Sequence, residues 1–200
     1  MSSSRLPGEG IFIAVTGPSG SGKTSVCKAL LAMFPRLRFS VSLTTRPRRP
    51  AEVDGEDYHF VSEAEFRERI RRGDLIEWAE NYGKLYGTSR EAMEEALRGN
   101  DLLLDVDTRG ARALKKACPG GIFVFIVPPS IGELERRLRG RGSETEETIR
   151  RRFDNALREI REIVWYDYII VNDELDAAID RLRAVYLAAA CRRERMMEKI

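Results

Sequence analysis

The chain has 200 residues, with 34 basic and 32 acidic side chains and a formal net charge of +2. A chain of this length can bury enough apolar surface to fold as one domain with small insertions, without disulfides or a structural metal. The near balance of charge argues against a general attraction to nucleic acid polymers or anionic membranes, so any basic function must be local.

The start of the chain and its cysteines bear on where the protein works. Residues 1–9 are polar and lack the apolar segment of a secretory signal, and we expect them to be disordered. No apolar run approaches the roughly 18 residues of a membrane span. Cys27, Cys118 and Cys191 match neither a zinc site nor a disulfide framework. Together these features predict a cytoplasmic protein with reduced thiols.

Five short apolar runs predict the strands of a core sheet. Their apolar residues are mostly continuous, which is typical of parallel strands covered on both faces. The runs are residues 11–16, 38–42, 102–107, 122–127 and 168–171. Helical patterns occupy residues 23–34, 131–139, 145–162 and 176–197. This order predicts an α/β fold of three layers with a five-stranded parallel core sheet.

A glycine-rich segment follows the first predicted strand. Residues 17–24 read Gly-Pro-Ser-Gly-Ser-Gly-Lys-Thr, which fits the G-x-x-x-x-G-K-[ST] pattern of a phosphate-binding loop (P-loop). Backbone N–H groups and the following helix N-terminus can hold phosphate, and the lysine can reach the β- and γ-phosphates. The pattern predicts an ATP site made by Gly17, Pro18, Ser19, Gly20, Ser21, Gly22, Lys23, Thr24 and Ser25.

Two carboxylates, Asp105 and Asp107, end the third predicted strand. Aspartates at the end of a strand are often only turn or cap residues, so their interpretation depends on the phosphate loop. Beside such a loop they are typical of a magnesium shell. We therefore expect Mg²⁺ as a cofactor, bound directly by the Thr24 hydroxyl and through water by Asp105 and Asp107.

Several guanidinium groups follow the second predicted strand, at Arg46, Arg48 and Arg49. Arginines this close together repel one another unless an anion lies among them, and their planar groups bind phosphate oxygens in pairs. A second phosphate is the natural ligand. A solvated basic loop is the alternative when the segment is considered alone.

Residues 42–100 break the regular alternation of strand and helix. They contain a turn at Asp54-Gly55, short strands over residues 57–61 and 75–79, and a helix whose start carries a capping-box pattern, Ser62 with Glu65. We predict an inserted mixed α+β subdomain here. Residues 138–152 are rich in arginine and glutamate and have little to bury, so we expect a small, mobile helical lid.

These features predict a division of the chain into parts. Residues 10–41, 101–136 and 154–200 would form the core P-loop domain, residues 42–100 the subdomain that binds the acceptor, and residues 137–153 the lid.

The motifs, in this order, resemble the guanylate kinase family over nearly the whole chain. The matching segments are the phosphate loop and residues 42–49, 55–58, 76–78, 86–88, 105–107, 140–142 and 171–172. The resemblance implies direct in-line transfer of the γ-phosphoryl group of ATP to GMP, and to dGMP, with Mg²⁺. The products are ADP and GDP, which places the chain in purine nucleotide metabolism.

The resemblance also implies roles for individual residues. Glu77 suits guanine because one carboxylate can accept both N1–H and the N2 amine, whereas adenine would leave it without partners. The implied residues for the GMP phosphate are Arg46, Arg49, Tyr58 and Tyr86, and those around guanine are Ser42, Glu77, Thr88 and Asp107. The implied catalytic residues are Lys23, Arg137, Arg141 and Arg152, and Asn172 is the implied adenine contact.

Some assignments have alternatives. Thr88 with Glu91 also fits a capping box, and Asn172 before Asp173 fits a turn. Arg109 stands where the family typically has glutamine, and it either tunes metal or nucleotide binding or pairs with a carboxylate. An inactive guanylate kinase-like interaction module, or a kinase for another small phosphate acceptor, remains open. We expect a monomer or homodimer whose partners are nucleotides.

Overall fold

A computed structural model describes residues 10–81, 83–140 and 145–197. Within them the strands are β1 (Phe12–Thr16), β2 (Leu37–Phe39), β3 (Leu43–Thr44), β4 (His59–Phe60), β5 (Leu75–Asn81), β6 (Lys84–Ser89), β7 (Asp101–Asp105), β8 (Ile122–Val127) and β9 (Tyr168–Val171). The helices are α1 (Lys23–Met33), α2 (Glu63–Arg72), α3 (Arg90–Leu97), α4 (Thr108–Ala117), α5 (Ile131–Arg139), α6 (Glu146–Arg161), α7 (Leu175–Ala190) and α8 (Arg193–Met197), with a 3-10 turn at Glu162–Trp165.

The core of the fold is a parallel sheet of five strands in the order β2-β7-β1-β8-β9. Every residue of β1 is buried, as are five of the six residues of β8. Such strands can be apolar throughout because both of their faces are covered. The predicted five-stranded parallel α/β fold is confirmed.

A second sheet has four strands in the order β4-β3-β6-β5. It is mixed, because β3 runs parallel to β4 and antiparallel to β6, which in turn runs antiparallel to β5. Phe66 of α2 is completely buried against Leu43, Leu75 and Leu85 of this sheet. The predicted mixed α+β insertion is therefore present, with α2 supplying its apolar core.

The strand predicted over residues 38–42 is shorter in the structure, because β2 ends at Phe39 and the chain enters the second sheet only at Leu43. β2 pairs with β7, and the Ser40 N–H still donates to the Leu103 carbonyl. Three residues later, Leu43 pairs with His59 in the second sheet. Apolar residues alternate with polar ones without interruption from Leu37 to Leu43, so the sequence gives no sign that the chain changes sheets here.

Two helices differ from the sequence prediction. The last predicted helix ends at Ala190, where its buried stripe of Ile179, Leu182, Tyr186 and Ala189 ends, and α8 follows after a break. α4 was not predicted at all. Its sequence signal is an N-cap aspartate followed by buried residues at helical spacing, Ala111 and Leu114.

The segment predicted as a mobile lid has more to bury than its charge suggests. Leu138 of α5 and Ile149 of α6 are buried against Leu134 and Ala156. These residues join α5 to α6, so the expectation that the segment has little to bury is wrong for its two helices. Residues 141–144, between the helices, lie outside the described residues, as do residues 1–9.

The chain divides into two compact units. Among the described residues, the first comprises residues 10–12 and 36–121, and the second comprises residues 13–35 and 122–197. The predicted bounds of core, insertion and lid stay predictions. No helix in the described ranges combines the length and apolar character needed to cross a membrane.

Candidate active site

The predicted phosphate loop connects β1 to α1 in the second unit. Gly20 and Gly22 have φ angles of 89° and 82°, a left-handed conformation that favours glycine. Gly22 occupies the N-cap position of α1, and a Cβ there would lie 2.2 Å from Asn172 Nδ2. Gly20 faces Leu134 and Leu138 of α5. Both glycines are therefore needed for their backbone conformation. Gly22 is also needed because Asn172 leaves no room for a side chain.

The start of α1 differs from the starts of the five helices α2 to α6. Each of those has a side-chain oxygen that accepts a backbone N–H of its first turn, whereas no side chain caps α1 or, later in the chain, α7. Nearby, the hydroxyls of Thr16 and Ser21 are buried without a hydrogen-bond partner among the described residues. Buried polar groups are normally paired. An uncapped helix start and unpaired hydroxyls fit a bound phosphate group.

Asn172, which directly follows β9, is hydrogen-bonded to the phosphate loop. Its side chain is buried, and Nδ2 donates to the Ser21 carbonyl over 2.7 Å. Its backbone N–H donates to the Val127 carbonyl, also over 2.7 Å. The sequence suggested an adenine contact or a turn for this residue, and this third role was missed. The adenine contact stays a prediction.

Two of the predicted lid arginines lie close to the loop. Arg152 donates to the Ser19 hydroxyl over 2.6 Å. Arg137 donates to Glu133 over 2.7 Å and to the Asn172 carbonyl over 3.1 Å. Hydrogen bonds from Arg136 and Arg137 lower the pKa of Glu133 to about 2, so it is ionised at neutral pH. Arg141 lies outside the described residues.

In the first unit, an acidic residue lies among the clustered arginines. The carboxylate of Glu52 accepts two hydrogen bonds from the Arg46 guanidinium, at 2.7 and 3.0 Å, and one from the Arg49 N–H at 2.8 Å. Arg48 donates to the Glu52 carbonyl. The hydrogen bond from Arg46 is the main reason that the pKa of Glu52 is lowered. The anion that the sequence required among these arginines is thus supplied in part by the chain itself.

Aromatic rings surround the same guanidinium group. Arg46 Cζ lies 5.4 Å from the centre of the Tyr58 ring and 5.7 Å from that of Phe60. The Tyr58 and Tyr86 rings meet edge to face, with 6.0 Å between their centres. The structure therefore brings Arg46, Tyr58 and Tyr86 together. The Arg49 side chain points outward and is 72% exposed.

A β-bulge places Glu77 opposite Thr88. Leu75 pairs with Ser89 and Glu77 pairs with Thr88, so β5 uses two residues where β6 uses one. The Thr88 hydroxyl donates to Glu77 Oε1 over 2.7 Å. Thr88 belongs to β6, and Ser89 caps α3 instead, so the alternative capping role of Thr88 is wrong.

The environment of Glu77 changes its acidity. Its side chain is only 6% exposed, and burial raises its pKa from an ordinary value of 4.5 to about 7. The Thr88 hydrogen bond acts in the opposite direction, while the nearby charge of Asp107 raises the pKa further. Such a carboxylate binds donors more strongly than an exposed one, because water does not compete.

Asp107 has the helix-cap role that the sequence left open as an alternative to magnesium binding, and the magnesium role stays a prediction. Its Oδ1 accepts the Gly110 N–H over 2.8 Å and so caps α4. At the same time, its charge acts on Glu77.

Ser42 lies just before β3, where its carbonyl accepts the His59 N–H. Arg109 donates to the backbone carbonyl of Glu80 over 3.2 Å.

The residues predicted to bind magnesium carry only oxygen donors, which Mg²⁺ prefers. Thr24 is exposed in the first turn of α1, and Asp105 ends β7 half-buried. Among the described residues there is no group of three or more His, Cys, Asp or Glu side chains that could hold a metal ion. A hydroxyl and two carboxylates are ligand types that suit Mg²⁺ beside phosphate and water oxygens.

Fold and site together define a P-loop α/β protein with two regions suited to phosphate, one in each compact unit. The guanylate kinase family model matches residues 11–189. The guanylate kinase of Syntrophotalea carbinolica is 51% identical over 188 residues, which cover 94% of this chain and 90% of that protein. The guanylate kinase of Geobacter metallireducens is 49% identical over 193 residues, covering 96% and 95%. The chain belongs to the guanylate kinase family.

A solved structure agrees with this assignment. The crystal structure of guanylate kinase from Anaplasma phagocytophilum is 32% identical in sequence and similar with a TM-score of 0.77. The likeness covers 95% of this chain and 91% of that chain.

Proposed function

We infer that the chain is an ATP:GMP phosphotransferase, which moves the γ-phosphoryl group of ATP to GMP and releases ADP and GDP. The observation that carries the inference is the buried carboxylate of Glu77, held by Thr88 in the unit that also contains the Arg46 cluster. A complete phosphate loop in the other unit supplies the donor side. Curated relatives named guanylate kinase support the same activity.

On the acceptor side, Glu77 would accept N1–H and the N2 amine of guanine, with Ser42, Thr88 and Asp107 around the base. Arg46, Arg49, Tyr58 and Tyr86 would hold the GMP phosphate. Arg46 lies beside Tyr58, and its Nη1 already donates to Glu52 and to the Pro47 carbonyl, so the GMP phosphate would share this guanidinium group with Glu52. Discrimination against adenine follows, since adenine offers Glu77 no matching pair of donors.

On the donor side, residues 17–25 would bind the ATP phosphates, with Lys23 on the β- and γ-oxygens and Asn172 near the adenine. Mg²⁺, when bound, would neutralise charge on the β- and γ-phosphates. Thr24 would hold the ion directly, and Asp105 and Asp107 would hold it through water. The Asn172–Ser21 hydrogen bond supports a loop that is already ordered for this task.

Phosphoryl transfer spreads negative charge over the γ-oxygens. The catalytic residues therefore chiefly position the substrates and stabilise this charge. Lys23, Arg137, Arg141 and Arg152 would supply this positive charge. The acceptor is an anionic phosphate oxygen, so no general base is needed. Contacts of Arg137 and Arg152 with the loop region support their assignment.

The remaining features belong to the same proposal. We expect dGMP to serve as a second acceptor, the protein to act as a monomer or homodimer, and the reaction to take place in the cytoplasm. These expectations depend on the family assignment and stay predictions.

The test is ADP formation with Mg·ATP and, in turn, GMP, dGMP, AMP, UMP and CMP as acceptors. We expect turnover with GMP and dGMP and little with the others. Turnover of AMP but not GMP would contradict the guanine assignment. If no acceptor is phosphorylated, the inactive interaction module becomes the better interpretation.

A further inference from the structure

Gly110, in the first turn of α4, lies unusually close to the Glu77 side chain. A Cβ at this position would lie 2.7 Å from Glu77 Oε2 and 3.3 Å from Glu77 Cδ. Real Cβ atoms essentially never come within 3.0 Å of a heavy atom outside their own residue and its chain neighbours. Any residue larger than glycine therefore competes with the Glu77 carboxylate for the same space.

Backbone conformation does not explain the glycine. Positive φ angles occur at five glycines among the described residues, and Gly110 is not one of them. Alanine is the better helix former at a helical position, by about 1 kcal/mol. The close approach of Glu77 is thus the physical reason for a glycine at this position.

We propose that Gly110 is a positioning residue for guanine recognition, because its missing side chain leaves the space in which the Glu77 carboxylate faces the base. The proposal depends on the function proposed above, in which Glu77 binds guanine. Gly110 also donates its N–H to Asp107 Oδ1 over 2.8 Å. That contact comes from the backbone and would survive a change to alanine, so the missing side chain acts on Glu77.

The steric conflict in a Gly110→Ala variant would be relieved by the carboxylate rather than by the helix. α4 is anchored by Ala111 and Leu114, neither of which has any exposed surface. The end of a glutamate side chain moves more easily than a packed helix. Its movement would break the 2.7 Å hydrogen bond from Thr88 and turn Oε2 away from its present position. The fold would survive while the site for guanine would change.

Gly110→Ala should weaken the binding of GMP and leave the binding of ATP nearly unchanged. Hydrogen bonds to charged groups contribute enough that misplacing one carboxylate weakens binding by roughly tenfold to a hundredfold. We expect Gly110→Ala to raise the Kd and KM for GMP by about that factor. The KM for ATP should stay within about twofold, because the phosphate loop belongs to the other compact unit.

The experiment is a double-mutant cycle on the full chain. GMP binding is measured by calorimetry, and both KM values by ADP formation, for the wild type, Gly110→Ala, Glu77→Ala and the double variant. Gly120→Ala is the matched control, because a Cβ there has no heavy atom within 4 Å and its φ is not positive. Glu77→Ala removes Oε2 and Cδ, so adding Gly110→Ala to it should cause no further loss.

Each outcome decides between the proposals. Weak GMP binding in Gly110→Ala, together with a double variant equal to Glu77→Ala, supports the positioning role. Wild-type binding in Gly110→Ala overturns it, and so does a double variant that loses the full factor again. If the wild type itself does not bind or phosphorylate GMP, the proposed function fails instead.

Thermal unfolding covers the case in which Gly110→Ala does not fold. A double variant that then folds normally supports the same steric conflict, since removing the Glu77 carboxylate relieves it. A double variant that also fails to fold shows that Gly110 is needed for packing alone, and the proposal is overturned.

Discussion

The carboxylate of Glu52 is hydrogen-bonded to both terminal nitrogens of Arg46, at 2.7 and 3.0 Å. The two side chains are 14% and 15% exposed, so water screens the pair only in part. Glu52 also accepts the Arg49 N–H. A single acidic residue therefore orients the guanidinium group and the loop that are assigned to the GMP phosphate.

Glu52→Gln should weaken GMP binding. The amide can accept only one of the two hydrogen bonds from Arg46 and carries no charge, so the guanidinium becomes less well oriented. We expect the KM for GMP to rise by about threefold to tenfold, with the KM for ATP unchanged. Glu56→Gln, at an exposed residue of the same loop, is the control. Tighter GMP binding in Glu52→Gln would show that Glu52 competes with the phosphate rather than orienting its ligand.

The KM for GMP should rise as the pH falls below about 7. Glu77 has a pKa of about 7, and its two oxygens can accept both guanine donors together only when it is ionised. The KM is therefore expected to rise by up to about tenfold per pH unit on the acidic side. The GMP phosphate titrates near pH 6, so the KM profile is compared with that of Glu77→Gln. That variant should bind GMP weakly at every pH and keep only the phosphate component, and an identical profile in both proteins would refute the role of Glu77.

The raised pKa of Glu77 also predicts that the folded protein loses stability as the pH rises, whereas GMP binding should improve over the same range. The folded pKa of Glu77 lies above its ordinary value of 4.5, so its stabilisation is complete below that value and is lost as the pH rises through 7. Glu77→Gln should thus be more stable than the wild type at pH 8, by at most about 3 kcal/mol. Denaturant unfolding at pH 5 and pH 8 tests this, and an advantage that does not shrink at pH 5 would contradict it.

Asn172→Ala should weaken ATP binding and leave GMP binding intact. The change removes the 2.7 Å hydrogen bond to the Ser21 carbonyl and leaves that buried group without its partner. The lost interaction is of the order of 1–2 kcal/mol, which raises the KM for ATP by about fivefold to thirtyfold. Asp173→Asn, at the next and exposed residue, is the control. Unchanged ATP kinetics in Asn172→Ala would mean that the loop keeps its conformation without this contact.

Lys23→Ala should reduce phosphoryl transfer by about a hundredfold or more, because no other group in the loop carries a charge to the β- and γ-phosphates. Circular dichroism and the unfolding midpoint should remain close to the wild-type values. Lys28→Ala, an exposed lysine on the same helix, should keep full activity. An active Lys23→Ala enzyme would refute the phosphate-loop assignment.

Several elements were predictable because their signals are local. The predicted bounds of β8, β9 and α5 agree with the structure residue for residue. Ser62 caps α2 as its capping-box pattern indicated. The cap of α3 was misplaced by one residue, since Thr88 and Ser89 are both capable caps and only strand pairing with Glu77 distinguishes them. The local sequence limits the possible N-cap residues, and a contact between residues distant in sequence decides which of them is used.

The sequence by itself determined the fold class, the phosphate loop and the family, because hydrophobic periodicity and a contiguous glycine-rich motif depend on near neighbours. Only the tertiary structure decided how the candidate site is held. Asn172 meets Ser21 across 151 positions of sequence, and Gly110 meets Glu77 only because α4 packs against β5. Burial then gives Glu77 a pKa of about 7, which the sequence could not indicate because desolvation depends on every surrounding element.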